Sequence, residues 1–206
     1  MTLSLGLDFI GMGAFTPGNT LLNGSEADGT NILTGGLEDF TSGWSALNVT
    51  LTANNTTAPN GATTAARILE DVTNDRHGVE LFIVASANTS YTCSIYAKSI
   101  TRRYLSVAPT SSGGRGIYGI FDLQTGVVVS TGTTSPDGST AVGSSSCQAG
   151  ANGFYKCTIS GVLDASAGNF YLKLYLSDIS NPGTPNYPSY AGNTSNGAYL
   201  WRPKVV

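Results

Sequence analysis

The chain holds one histidine, His77, three cysteines and thirteen acidic residues among 206. One imidazole excludes a metal centre built on two or three histidines. A Ser-His-Asp hydrolase would have to recruit His77, and no Gly-x-Ser-x-Gly elbow presents a serine to it. No Gly-x-x-x-x-Gly-Lys-Ser/Thr loop and no Gly-x-Gly-x-x-Gly turn is present to cradle a nucleotide. Glycoside hydrolysis needs two carboxylates held roughly 5–10 Å apart. Glu38, Asp39, Glu70, Asp71, Asp75, Glu80, Asp122, Asp164 and Asp178 offer such groups, but no aromatic-rich loop frames any of them. Glu38 with Asp39, and Asp71 with Asp75, present hard oxygens of the kind calcium takes, although not in an EF-hand spacing. Asx turns are the simpler use of these residues. The expectation is a chain without catalytic activity, metal or cofactor, with His77 as a solvated or hydrogen-bonded loop residue.

Cys93, Cys147 and Cys157 are an odd number, which excludes a full disulfide framework. Cys147 and Cys157 flank a plausible hairpin that can bring them face to face. In a cytoplasmic chain the simpler expectation is three buried thiols serving as small apolar groups.

The most suggestive chemistry lies on strand faces. In Phe170-Tyr-Leu-Lys-Leu-Tyr-Leu-Ser177, alternation points Phe170, Leu172, Leu174 and Leu176 one way and Tyr171, Lys173 and Tyr175 the other. In residues 91–98, Cys93, Ile95 and Ala97 share one side, while Tyr96 and Lys98 share the opposite one. Tyrosine supplies a flat apolar ring and a hydroxyl, and lysine adds donors. That set suits a sugar ring or a polar subunit interface. Tyr96, Lys98, Tyr171, Lys173 and Tyr175 are therefore the candidate ligand-binding residues.

The elements that must position them are strands. Charged residues make up only 11% of the chain, against roughly 25% in typical domains, and Gly (26), Ser, Thr and Asn replace them. The hydrophobic fraction of 40% is enough for a core. Period-2 patterning predicts strands over 44–53, 63–71, 79–85, 91–98, 104–108, 116–123, 127–131, 141–148, 154–161, 170–177 and 198–205. The nearly continuous apolar run 79–85 reads as a central strand. The last residues, Gly197-Ala-Tyr-Leu-Trp-Arg-Pro-Lys-Val-Val206, read as a strand placed to close a sheet. Trp44 and Trp201 are expected in or near the core. Many short strands without a helical window predict an all-β protein, with a jelly-roll β-sandwich as the first choice.

Residues 1–30 lack strict alternation and are expected to form an extended N-terminal arm, with the sandwich over 31–206. Leu3, Leu5, Leu7, Phe9 and Ile10 exceed what a short arm can bury by itself, so the arm is expected to dock on a partner. A homo-oligomer, favoured as a trimer, is the expected assembly. The net charge of −3 and a single basic pair, Arg102-Arg103, argue against a nucleic-acid partner. That pair is expected to be a solvated loop or strand end. No window approaches the ~18 apolar residues of a membrane span. The start of the chain has no basic region before its apolar run and carries Asp8 inside it, so synthesis in a cytoplasm is expected.

With the strands laid out, a family pattern emerges. Asn31-Ile-Leu33, Glu38-Asp-Phe-Thr-Ser-Gly-Trp44, Val49-Thr-Leu-Thr-Ala-Asn54 and Ala58-Pro-Asn-Gly-Ala-Thr-Thr-Ala-Ala66 resemble the opening of carbohydrate-binding-like jelly-roll proteins common in tailed-phage genomes. Tyr91-Thr-Cys-Ser-Ile-Tyr-Ala-Lys98, Gly150-Ala-Asn-Gly-Phe-Tyr-Lys-Cys157 and Tyr199-Leu-Trp-Arg-Pro-Lys-Val205 are similar to later stretches of that family. Arg202-Pro203-Lys204 stands where the family has small and amide residues. The resemblance covers residues 31–206 and implies a virion component exposed on a head or tail, made in the host cytoplasm. The apolar series in residues 1–30 adds the expectation of contact with other virion proteins, and the tyrosine–lysine face adds that of contact with host surface polysaccharide. The alternative from a different class is a stand-alone carbohydrate-binding module of a secreted or cell-surface protein.

Overall fold

The computed structural model describes residues 29–111, 113–134, 142–163, 169–177, 179 and 188–206. The arm expected over 1–30 lies outside them except for its last two residues, as do Asp164 and Asp178. The strands in chain order are β1 (Ser45–Leu47), β2 (Val49–Thr56), β3 (Ala65–Glu70), β4 (Asn74–Asp75), β5 (Gly78–Val84), β6 (Ser90–Ser99) and β7 (Tyr104–Thr110). There follow β8 (Ile117–Asp122), β9 (Val127–Thr133), β10 (Ser144–Ala149), β11 (Tyr155–Val162), β12 (Asn169–Ser177), β13 (Tyr190–Ala191) and β14 (Gly197–Val205). Among the described residues there is no α-helix.

Two six-stranded antiparallel sheets pack face to face. The first runs β1-β5-β12-β7-β8-β9 and the second β10-β11-β6-β14-β3-β2. The chain passes repeatedly from one sheet to the other, giving a jelly-roll β-sandwich. Alternation decides which side chains meet between the layers. Val79, Leu81, Ile83, Leu105, Val107, Leu172 and Leu174 come from the first sheet, and Ile68, Cys93, Ile95, Ile159 and Leu200 from the second. Each such side chain contributes roughly 1.5–3 kcal/mol by leaving water. Tyr91 and Phe170 meet across the layers with ring centroids 5.5 Å apart.

The run expected as one strand over 44–53 is two strands in different sheets. Asn48 separates them with φ of 50°, a left-handed value that asparagine tolerates better than most residues. Its side chain donates to the Arg76 carbonyl at 2.9 Å, and its own carbonyl accepts from the Asp71 amide at 2.9 Å. The C-terminal strand β14 does not lie at an edge. It is central, between β6 and β3, and joins the halves of its sheet.

Strand β14 also solves a phase problem. Strict alternation from Ala198 and Leu200 would carry Arg202 and Lys204 into the core. Trp201 pairs with Tyr96 but Lys204 pairs with Ser94, so one extra residue is inserted. Arg202 sits at this bulge with φ of 51°. The slip resets the face, and Pro203 and Val205 turn inward and are buried. Pro203 needs no ladder partner for an N–H it lacks. Asn31 completes the closure: its side chain donates to the Pro203 carbonyl at 3.2 Å and accepts from the Val205 amide at 2.9 Å.

Candidate functional site

Strands β5 and β12 build the outer face of the first sheet. Their register places Phe82 opposite Tyr171, Glu80 opposite Lys173, and Gly78 opposite Tyr175. Phe82 is 49% exposed, and its ring meets that of half-buried Tyr171 edge-to-face at 5.3 Å. Val84, on the same face, is 76% exposed. The apolar run 79–85 is therefore not that of a strand covered on both sides, as its composition suggested. Its odd positions enter the core, while Phe82 and Val84 remain at the surface. Phe82 was missing from the sequence-derived candidates because a continuous apolar run hides which alternate face is wet.

Below this aromatic pair the face becomes polar and closed. Tyr175 is fully buried, and its hydroxyl donates to a Glu80 carboxylate oxygen. The Arg76 guanidinium lies 5.9 Å from the centre of its ring. A Cβ on Gly78 would fall 2.2 Å from the Leu174 carbonyl oxygen and 2.6 Å from the Tyr175 ring, so the glycine admits the close approach of both the β12 backbone and the aromatic. Lys173 stands between the two tyrosines. Burial lowers its ammonium pKa, the Glu80 carboxylate opposes that shift, and Arg76 adds to it. Tyr171 and Lys173 border the exposed surface, whereas Tyr175 forms its floor.

Tyr96 and Lys98 lie elsewhere. They project from β6 on the outer face of the second sheet, which points away from that of the first. Tyr96 is 6% exposed and packs on Trp201 at 5.2 Å between ring centroids. Ala58, Ala65 and Phe154 complete a small second core there. Lys98 Nζ donates to the Asn152 carbonyl at 2.9 Å and lies 5.8 Å from the Phe154 ring. Asn152 in turn donates to the Ala58 carbonyl at 2.8 Å. Two loops thus fold over Tyr96 and tie down Lys98. The five candidate residues do not form one surface. The structure brings together Tyr171, Lys173 and Tyr175, with Phe82 and Glu80 beside them, and places Tyr96 and Lys98 on the other side of the sandwich.

Several charged residues have structural partners. Arg102 and Arg103 sit at the crossover from β6 to β7 and are not simply solvated, as a short basic pair suggested. Arg102 binds Glu70 at the end of β3 through Nε and, at 2.8 Å, Nη2. Arg103 binds Asp122 at the end of β8 at 2.7 Å. Neighbouring arginines therefore pin opposite sheets at one crossing. Burial pushes the Asp122 carboxyl up, but hydrogen bonds from Arg103, Thr125 and the Gln124 amide outweigh it and hold the pKa at about 2. Asp39 accepts from Thr41, Asp71 from the Thr73 amide, and Asp75 from the Arg76 amide. These are the turn contacts expected of such residues.

His77 departs from the sequence expectation of a solvated or hydrogen-bonded residue. It is fully buried, and among the described residues neither ring nitrogen has a partner within hydrogen-bond distance. Its Nε2 lies 3.6 Å from Asp71, and its ring is stacked on Tyr190 at 4.8 Å. Part of the cause is the two-stranded ribbon of β4 and β13, which closes over the loop. A Cβ on Gly192 would come within 2.3 Å of the imidazole, so the cover is tight. Among the described residues, no group of three or more His, Cys, Asp or Glu side chains is placed to hold a metal ion.

No family model matches the sequence, and no curated protein matches it. Solved structures are similar at low identity. One is the enzymatically active domain of tailspike protein 4 from bacteriophage CBA120. It is 13% identical with a TM-score of 0.46, over 85% of this chain and 21% of that one. Another is the N-terminal part of the Clostridium thermocellum endo-1,4-beta-D-xylanase 10B, its CBM22-1 and GH10 modules complexed with xylohexaose. It is 13% identical with a TM-score of 0.44, over 80% of this chain and 26% of that one. The chain thus spans about a quarter or less of the length of these structures.

Proposed function

We propose that this chain is a structural component of a tailed-phage virion, a head decoration or tail appendage, displaying a carbohydrate-binding-like β-sandwich. The outer face around Phe82 and Tyr171 is its contact surface for host polysaccharide. The observation that carries the ligand reading is the exposed Phe82–Tyr171 pair with Lys173 and Glu80 in the next register row. The two rings give a sugar an apolar surface, and the charged row below gives its hydroxyls donors and acceptors. The virion reading rests on the resemblance of residues 31–206 to phage jelly-roll proteins.

A few contacts of about 1 kcal/mol each predict binding of an isolated domain around millimolar. Many copies on one particle raise this by avidity. Titration of host polysaccharide against wild type and Phe82→Ala/Tyr171→Ala should show affinity falling by about tenfold or more in the double variant. Lys98→Ala, on the opposite side of the sandwich, should leave binding unchanged. Equal binding by the double variant and wild type would remove this face as the site. Tyr175→Ala is a poor probe, because it empties a buried position.

Residues 1–30 are the proposed attachment to other virion proteins, in a homo-oligomer favoured as a trimer. A truncation ending at residue 30 spares Asn31, which clamps β14, and buried Leu33. The truncated chain should stay folded and soluble yet fail to enter particles. Normal incorporation, measured by particle purification and mass spectrometry, would refute the attachment.

A further inference from the structure

Cys147 and Cys157 are directly opposite each other in the antiparallel pair β10–β11. Cys157 is fully buried in the main core, and half-buried Cys147 packs at its margin. Both side chains therefore occupy the same face of the hairpin. Directly opposed residues of such a pair have Cα atoms about 4.5–5.5 Å apart, inside the range of about 4.4–6.8 Å found for disulfides. Strand β10 ends its sheet, so the small adjustment that bonding needs does not have to propagate into a further strand.

We propose that Cys147 and Cys157 are a modification site, a dithiol that closes reversibly to an intrachain disulfide and staples the edge hairpin of the second sheet. The reactive member is Cys147. The hydrogen bond from Cys157 lowers its pKa, whereas burial pushes the Cys157 thiol up. Cys147 is also the more accessible of the two. The oxidant is a low-molecular-weight disulfide of the glutathione type. The Cys147 thiolate attacks one sulfur of that disulfide and expels a small thiolate, which takes the proton Cys147 released. The Cys157 thiolate then attacks Cys147 Sγ and expels the second small thiolate, which takes the Cys157 proton. Two protein thiols and one small disulfide become one protein disulfide and two small thiols. Cys93 stays outside this exchange. It faces Ile159 rather than a thiol, and burial alone pushes its pKa up to about 12. A chain folded in a reducing compartment holds the dithiol, and the same chain outside the cell closes it.

The test incubates the full folded chain with oxidised glutathione, blocks free thiols with iodoacetamide, and digests with trypsin without reduction. Cleavage after Arg115, Lys156 and Lys173 separates Cys147 (peptide 116–156) from Cys157 (peptide 157–173). The expected result is these two peptides linked, separable by dithiothreitol, in wild type and in Cys93→Ala. Cys147→Ser, a change at a half-exposed position, should abolish the link and leave Cys157 unmodified. The oxidised wild type should melt about 5 °C higher than the reduced form, a difference absent from Cys147→Ser. A glutathione adduct that persists on Cys147 would overturn the proposal. So would linkage only between separate chains, or no reaction at all.

Discussion

Trp201→Ala is expected to destabilise the domain by about 3–5 kcal/mol, the range for emptying a large buried aromatic site. The melting temperature should fall by on the order of 10 °C. Trp201 is only 7% exposed, although it lies on the outer face of its sheet. Its ring packs on Tyr96, and its indole N–H donates to Thr64 Oγ1 at 3.0 Å. Removing it therefore strips cover from Tyr96 and takes from the loop holding Ala58 and Thr64 the indole contact to Thr64. Trp201 also precedes the bulge that turns Arg202 and Lys204 away from the core. A variant that keeps the melting temperature of wild type would show that this second cluster adds nothing to stability.

Glu70→Ala should cost a similar amount, about 3–5 kcal/mol, because it breaks a buried ion pair by removing one partner. The Glu70 side chain is fully buried, and that of Arg102 is 14% exposed. Glu70 also accepts from the Tyr190 hydroxyl at 2.7 Å and the Asn193 amide at 3.1 Å. The Arg102 guanidinium lies 4.6 Å from the Tyr190 ring centre. One carboxylate thus ties the end of β3, the crossover at Arg102 and the loop after β13. Glu70→Gln keeps the shape but withdraws the charge, and should also lose stability. Chemical denaturation of wild type and both variants measures the effect, and unchanged midpoints would count against it.

The same group predicts the acid response. Burial raises the Glu70 pKa, but the hydrogen bonds from Arg102, Tyr190 and the Asn193 amide prevail and hold it below its ordinary value. Asp122 is held at about 2. A carboxyl with a depressed folded pKa contributes stability that is complete above its unfolded value, about 4. That contribution is lost as pH falls through the folded value. The melting temperature should therefore hold above about pH 5 and fall between about pH 4 and 2. Glu70→Gln should flatten part of that slope, and an unchanged slope would assign the acid response to other carboxylates.

Alternation alone was sufficient to read β6, β11 and β12 as strands and to assign the two faces of β6 and β12. Each is a run of eight to ten residues in which one face is apolar, and a period of two leaves only one way to bury it. From this followed the all-β class, the inward row Phe170, Leu172, Leu174 and Leu176, and the outward row Tyr171, Lys173 and Tyr175. What lay above each outward row was not local information. Tyr96 and Tyr175 look as available as Tyr171 in the sequence. Yet Tyr96 is covered by loops more than thirty residues away on either side, and Tyr175 is engaged by Arg76 from the β4–β5 loop and Glu80 from β5, which reach it only through folding. The two-residue ribbon of β4 and β13 has no period to detect, and its partners are more than a hundred residues apart. It helps turn His77 from a loop residue into a buried one. Sequence patterning determined which face of each strand would meet the core, because that choice rests on nearest neighbours. Tertiary packing decided which outward residues stayed wet, because cover depends on chain segments that are distant in sequence.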